Sequence, residues 1–120
     1  MRMWLVDPKL MCNQHLLGEH CEMHAFIGTI IKGTSIEGYI NKGLIEVDKI
    51  YERHSDLADE MTQRGMKHKS PLPFMVINQF WLRFNNPGKV NIEANLVELS
   101  NRCPKCRKRI EGVIDCANPN

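Results

Sequence analysis

Apolar residues recur at helical spacing in three places along the chain. The first is Asn13 to Ile31, where Leu16, Leu17, Met23, Phe26, Ile27, Ile30 and Ile31 supply apolar faces. The second is Asp48 to Arg64, where Ile50, Tyr51, His54, Leu57, Ala58 and Met61 fall three and four residues apart. Arg64-Gly65 is a helix stop, a cation followed by a glycine. The third runs from Asn91, a capping residue, to Arg102, with Leu96, Leu99 and Cys103 on one face and Pro104 expected to end it. Between them the pattern breaks. Residues 2–6, RMWLV, are short and apolar, and Asp7-Pro8 reads as a helix start or a tight turn. Residues 33–43, GTSIEGYINKG, read as a loop, as does the proline-punctuated KHKSPLP at 67–73. The aromatic stretch FMVINQFWLRF, 74–84, fits a short helix or an irregular packed segment, closed by NNPG. The tail from Glu111 is open. The expectation is an all-α protein: one compact domain over residues 1–120, three main helices and long irregular connections.

Composition is consistent with that picture. The chain has 120 residues, 42% hydrophobic and 25% charged, which suits one globular core and argues against disorder. No apolar run approaches the roughly 20 residues of a membrane span, and MRMWLVDPKL has no signal-peptide core. A cytoplasmic protein with no membrane partner is expected. Net charge is only +2, but Arg102, Lys105, Arg107, Lys108 and Arg109 crowd a segment without an acid. Such a block either meets phosphates or forms a solvated helix end.

The stretch QHLLGEHCEMH, 14–24, concentrates candidate chemistry. On a helix His15, Glu19, Glu22 and Phe26 share one face, suited to acid/base work or to a solvated polar face with local pairing. His20 and His24, four apart, have the spacing of two zinc ligands but lack the HExxH pattern. Cys103-Pro-Lys-Cys106 is a CxxC with Cys116 beyond it. Those thiols are either plain cysteines at a helix end or three ligands of a zinc whose fourth comes from Cys12, Cys21 or a histidine. A thioredoxin-like role lacks its βαβ surroundings.

The start of the chain adds a further pattern. Arg2, then Gln14-His15-Leu16, then Glu22 and Gly28 resemble, in type and spacing, the pyrimidine-dimer DNA glycosylase family of the phage and viral endonuclease V type. A thinner likeness surrounds Glu60 and Arg64-Gly65. The resemblance implies a helical, metal-independent enzyme without cofactor. Its N-terminal α-amine attacks C1′ of the damaged nucleotide, the base leaves, a Schiff base forms and β-elimination cuts the strand. A glutamate beside the amine handles protons, a partner-strand base is flipped out and the DNA is bent. Carried over by position, Met1 and Glu22 are catalytic. Arg2 and His15 orient the sugar-phosphate, and Gln14 contacts DNA. In the family a threonine becomes first after methionine removal; here the matching position is Met1, which the bulky Arg2 is expected to retain. An unperturbed α-amine has a pKa of about 7.7–8.0 against about 10.4 for lysine, so roughly a tenth of it is free base at neutral pH. That neutral amine is what imine formation requires.

Departures are also visible. Cys21 and Ala25 stand where the family carries arginines, and the aromatic, basic tail of the viral enzymes is missing. Lys9, Lys32, Arg53, Lys67, Lys69 and the 102–109 block are the candidates to replace those phosphate contacts. Phe80, Trp81 and Arg83 are candidates for a wedge between bases, or for core. The expected function is a DNA repair glycosylase with abasic-site lyase activity on pyrimidine dimers or a related lesion. It would be a monomer acting on damaged double-stranded DNA, nucleoid-associated or virus-encoded. The competing expectation is a zinc-stabilised DNA-binding module without catalysis.

Overall fold

Helix α1 (Asn13–Ile31) has the bounds its apolar spacing predicts. It starts at Cys12, whose Sγ accepts the His15 N–H, and stops at Lys32 and Gly33, the latter at φ 78°. In the computed structural model, residues 1–67, 71–72 and 86–117 are described, those from 113 onward by backbone alone. The other helices are α2 (Glu37–Asn41), α3 (Ile50–Gln63), α4 (Ile92–Arg102) and α5 (Pro104–Ala117), with 3-10 turns at Pro8–Leu10 and Val47–Lys49. No strand occurs among the described residues, so the all-α expectation holds there. None of these helices is long and apolar enough to cross a membrane.

The core lies between α1 and α3. Leu16, Met23, Phe26, Ile27 and Ile30 pack in one cluster with Ile50, Leu57 and Met61. Each such side chain contributes about 1.5–3 kcal/mol when fully buried. The N-terminal segment completes this layer. Met3, Trp4 and Val6 are all buried, and the Met3 N–H donates to the Leu44 carbonyl at 2.7 Å. Burying neighbours in sequence needs a kink, and Leu5 supplies it at φ 58°, a left-handed conformation costing about 1–2 kcal/mol.

Two connections differ from expectation. Residues 33–43 are not all loop: Ile36 and Ile40, four apart and buried, draw Glu37–Asn41 into a helical turn despite the flanking glycines. Pro104 does end α4, but it also opens α5, giving more helix than the three segments anticipated. The ring needs no N–H at a first helical position and presets φ for it. Cys103 before it is extended (φ −122°, ψ 109°), as a residue preceding proline prefers. The segment leading to α4 is tied back to residues 45–47: the Val47 N–H donates to the Pro87 carbonyl at 2.7 Å, and the Val90 N–H to the buried Glu46 carboxylate at 3.0 Å. The expected elements within 74–84 lie outside the described residues.

Candidate active site

The first residues of the chain meet the middle of α1. The Arg2 backbone N–H donates to Oε2 of Glu22 at 2.9 Å, which brings the first residue beside that carboxylate. The Arg2 side chain holds this arrangement in place. Its guanidinium lies 3.8 Å over the Trp4 ring, and Nη2 donates to Oδ1 of Asn95 at 2.7 Å. An ion pair to Glu98 adds a third restraint, and Asn95 Nδ2 donates to the Trp4 carbonyl at 2.8 Å. Arg2 is thus bound to α4.

Beside Glu22 opens a recess of about 300 Å³ lined by Trp4, Gln14, His15, Gly18, Glu19 and Glu22. Of the predicted face of α1, His15, Glu19 and Glu22 line this recess while Phe26 is buried in the core against Tyr39, and the two carboxylates differ. Glu22 is partly exposed to the recess. Glu19 is buried and gripped by Arg53 through Nε at 2.6 Å and Nη2 at 2.9 Å. That pairing corrects the expectation for Arg53: at 3% exposure it is an internal counter-ion, not a phosphate contact. Glu60 and Arg64 are also structural, Arg64 reaching from its 2.8 Å pair with Glu60 to Asn13 and to the Pro8 carbonyl.

A second cleft, about 350 Å³, adjoins the recess through Gln14, which lines both. Its other walls are Cys12, Asn13, Lys105, Lys108 and Arg109. Lys9 is exposed nearby, its carbonyl accepting from Nε of Arg109 at 2.9 Å. Gln14, Lys9 and the basic start of α5 are therefore neighbours. Lys32 is not among them. It caps the far end of α1, ten residues beyond Glu22 or about 15 Å along the axis. Lys67 is exposed, while Lys69, Phe80, Trp81 and Arg83 lie outside the described residues.

His15 faces two ways. Its ring meets Trp4 edge to face at 6.1 Å, and its Nδ1 lies 3.2 Å from the Cys12 sulfur and 3.6 Å from that of Cys106. Burial lowers its pKa, the Arg102 charge lowers it further, and Glu22 opposes both. Cys103 completes the group, so Cys12, His15, Cys103 and Cys106 have all donor atoms within 4.8 Å. Burial pushes the Cys106 thiol up to about 12. At Cys103 burial acts the same way, but hydrogen bonds from the Cys106 backbone and thiol and from Cys12 outweigh it and lower the pKa. The CxxC thus finds Cys12 and His15 as neighbours, while the side chain of Cys116 lies outside the described residues. Sequence reasoning missed that Cys12-Asn-Gln-His15 is itself a C-x-x-H.

A second donor cluster joins the predicted His20 and His24 pair to His54 of α3. Nε2 of His24 and His54 are 3.1 Å apart, and the three rings stand 4.6–5.0 Å from one another. Cys21 is exposed, away from them.

A family model described as pyrimidine dimer DNA glycosylase matches residues 1–74, more than half of the chain. The chain belongs to that family. Neither the curated proteins nor the solved structures give a significant match. Membership makes this a DNA repair protein whose family acts as DNA glycosylases, and its matched region contains Glu22, the recess and the Glu19–Arg53 pair. The helices that bring Asn95, Cys103, Cys106 and the basic cleft lie beyond it.

Proposed function

We propose that this glycosylase excises a pyrimidine dimer or related lesion from duplex DNA and then cleaves the strand as an abasic-site lyase, through a Schiff base on the Met1 α-amine. The observation that carries the reading is the 2.9 Å bond from the Arg2 N–H to Glu22, which sets the first residue beside a carboxylate at the rim of a recess. The amine lone pair attacks C1′ and the glycosidic bond breaks, its electrons leaving with the base. Opening of the sugar ring gives a protonated imine. Loss of a C2′ proton expels the 3′ phosphate, and water releases the amine. Glu22 stabilises the cationic sugar and passes protons between these steps. Arg2 is a positioning residue, since its guanidinium binds Asn95 and Glu98. Gln14 and His15 face the sugar-phosphate from the recess, and Lys9 with α5 guides the flanking backbone. Lys32 contacts DNA further out along the duplex. The reading takes the protein as a monomer whose chemistry requires no metal.

The test is borohydride trapping on a duplex with one abasic site, followed by peptide mapping. A covalent adduct on the Met1 peptide, abolished by acetylating the N-terminus, is the expected result. No adduct under low-salt conditions where the duplex is bound would leave a binding protein without lyase chemistry. An intact mass lacking Met1 would move the amine to Arg2 and remove Met1 from the reaction.

A further inference from the structure

We infer that Cys12, His15, Cys103 and Cys106 form a closed, structural zinc site that joins the start of α1 to the α4–α5 junction. The four donor atoms come from two equivalent half-sites. In each, a cysteine stands immediately before a helix and a second ligand occupies the third helical position: Cys12 and His15 on α1, Cys103 and Cys106 on α5. That placement converges the donors. A tetrahedral zinc with Zn–S bonds of about 2.3 Å and Zn–N bonds of about 2.0–2.1 Å needs S···S edges of about 3.8 Å and S···N edges of about 3.6 Å. The cluster has Cys12–Cys103 at 3.9 Å, Cys106–His15 at 3.6 Å and Cys12–His15 at 3.2 Å. A disulfide needs about 2.05 Å between sulfurs.

The surroundings suit thiolates. Backbone N–H groups point at the sulfurs: His15 to Cys12 and Cys106 to Cys103, both at 3.5 Å, and Cys12 to Cys106 at 3.2 Å. Two helix N-termini face the cluster, and their dipoles favour negative charge. Loading releases the thiol protons to solvent and leaves a complex of net charge −1, set beside the basic start of α5. Cys12 and Cys106 are buried, so water does not complete the coordination. Because all four donors are protein groups, the metal's role is to hold α5 and its lysines against Gln14.

The test is metal analysis of the protein purified without chelator, with cobalt exchange. Zinc near one equivalent per chain is expected, and the cobalt form should show the intense near-ultraviolet sulfur-to-metal absorption of three thiolates. Cys106→Ser should lose that equivalent, whereas Cys21→Ser and His24→Gln should keep it. If Cys106→Ser fails to fold, the cobalt spectrum of the unaltered protein decides. A reduced protein that takes up neither metal would overturn the site. So would cobalt bound without thiolate absorption, or zinc lost from His24→Gln, since either places the metal on the histidine trio.

Discussion

Two glutamates one turn apart on α1 have opposite roles, and their neighbours decide which is which. Glu22 sits at the recess against the Arg2 N–H. Glu22→Gln keeps the shape and removes the charge. It should lower the rate of borohydride trapping by about 10²–10⁴-fold, the usual contribution of a positioned acid/base group, while duplex affinity by gel shift stays within a few-fold. An unchanged rate would take Glu22 out of the chemistry. Glu19 is enclosed with Arg53. Arg53→Met strands a buried carboxylate and should cost about 3–5 kcal/mol in urea unfolding, whereas Glu19→Leu with Arg53→Met should recover most of that loss. Equal destabilisation in the single and double variants would mean that Arg53 acts through packing rather than charge.

At the scale of the elements, two glycines separate what the helices require from what a ligand requires. A Cβ at Gly18 of α1 meets no protein atom within 4 Å, so helix packing does not demand this glycine. Gly18→Ala should raise stability by about 0.5–1 kcal/mol through helix propensity. Because Gly18 lines the recess, the same change should weaken binding of a lesion-containing duplex. Unchanged binding would show that DNA does not approach this face of α1. Gly88, by contrast, has φ 93° and its Cβ would run into the Ile45 carbonyl. Gly88→Ala should therefore cost about 1–3 kcal/mol by thermal unfolding, loosening the lead-in to α4. These contrasts also explain which features could be read from sequence. The bounds of α1 and the Asn91 cap of α4 follow from local signals, and Arg2, Gln14-His15 and Glu22 from short-range spacing. The α2 turn was hidden by glycines, and α5 by a proline read as a stop when it was also a start. The thiol cluster pairs Cys12 with Cys103 across 91 positions, and Arg53 finds Glu19 across 34. Spacing rules do not reach such partners, since they meet only when α3 packs on α1 and α5 packs on the Pro8–Leu10 turn before it.

At the scale of the molecule, DNA affinity must come from where charge lies, because a net charge of +2 is too small to attract a duplex by itself. Exposed cations near the recess are Arg102 of α4, 5.6 Å from the Trp4 ring centroid but paired with Glu98, and those of α5, joined to it through Gln14, with Lys9 bonded to Arg109 beside them. A backbone following that cleft would be neutralised by Lys105, Lys108 and Arg109. Each phosphate contact releases condensed counterions, so binding weakens with salt at a slope of about 0.9 per contact on a log–log plot. Lys105→Ala with Lys108→Ala removes two contacts and leaves the Arg109 bond to the Lys9 carbonyl in place. The double variant should bind duplex more weakly at every sequence and lower the slope by roughly two. At saturating DNA its trapping rate should match the unaltered protein, since neither lysine lines the recess that holds Glu22. Lys32→Ala, made at the opposite end of α1, should lower the slope by about one, and an unmoved slope would mean that the duplex leaves the surface before that end. Fluorescence anisotropy across a salt series measures both variants together. A slope unmoved by the double change would place the phosphate path away from α5, and the cleft at Gln14 would then have no part in holding DNA.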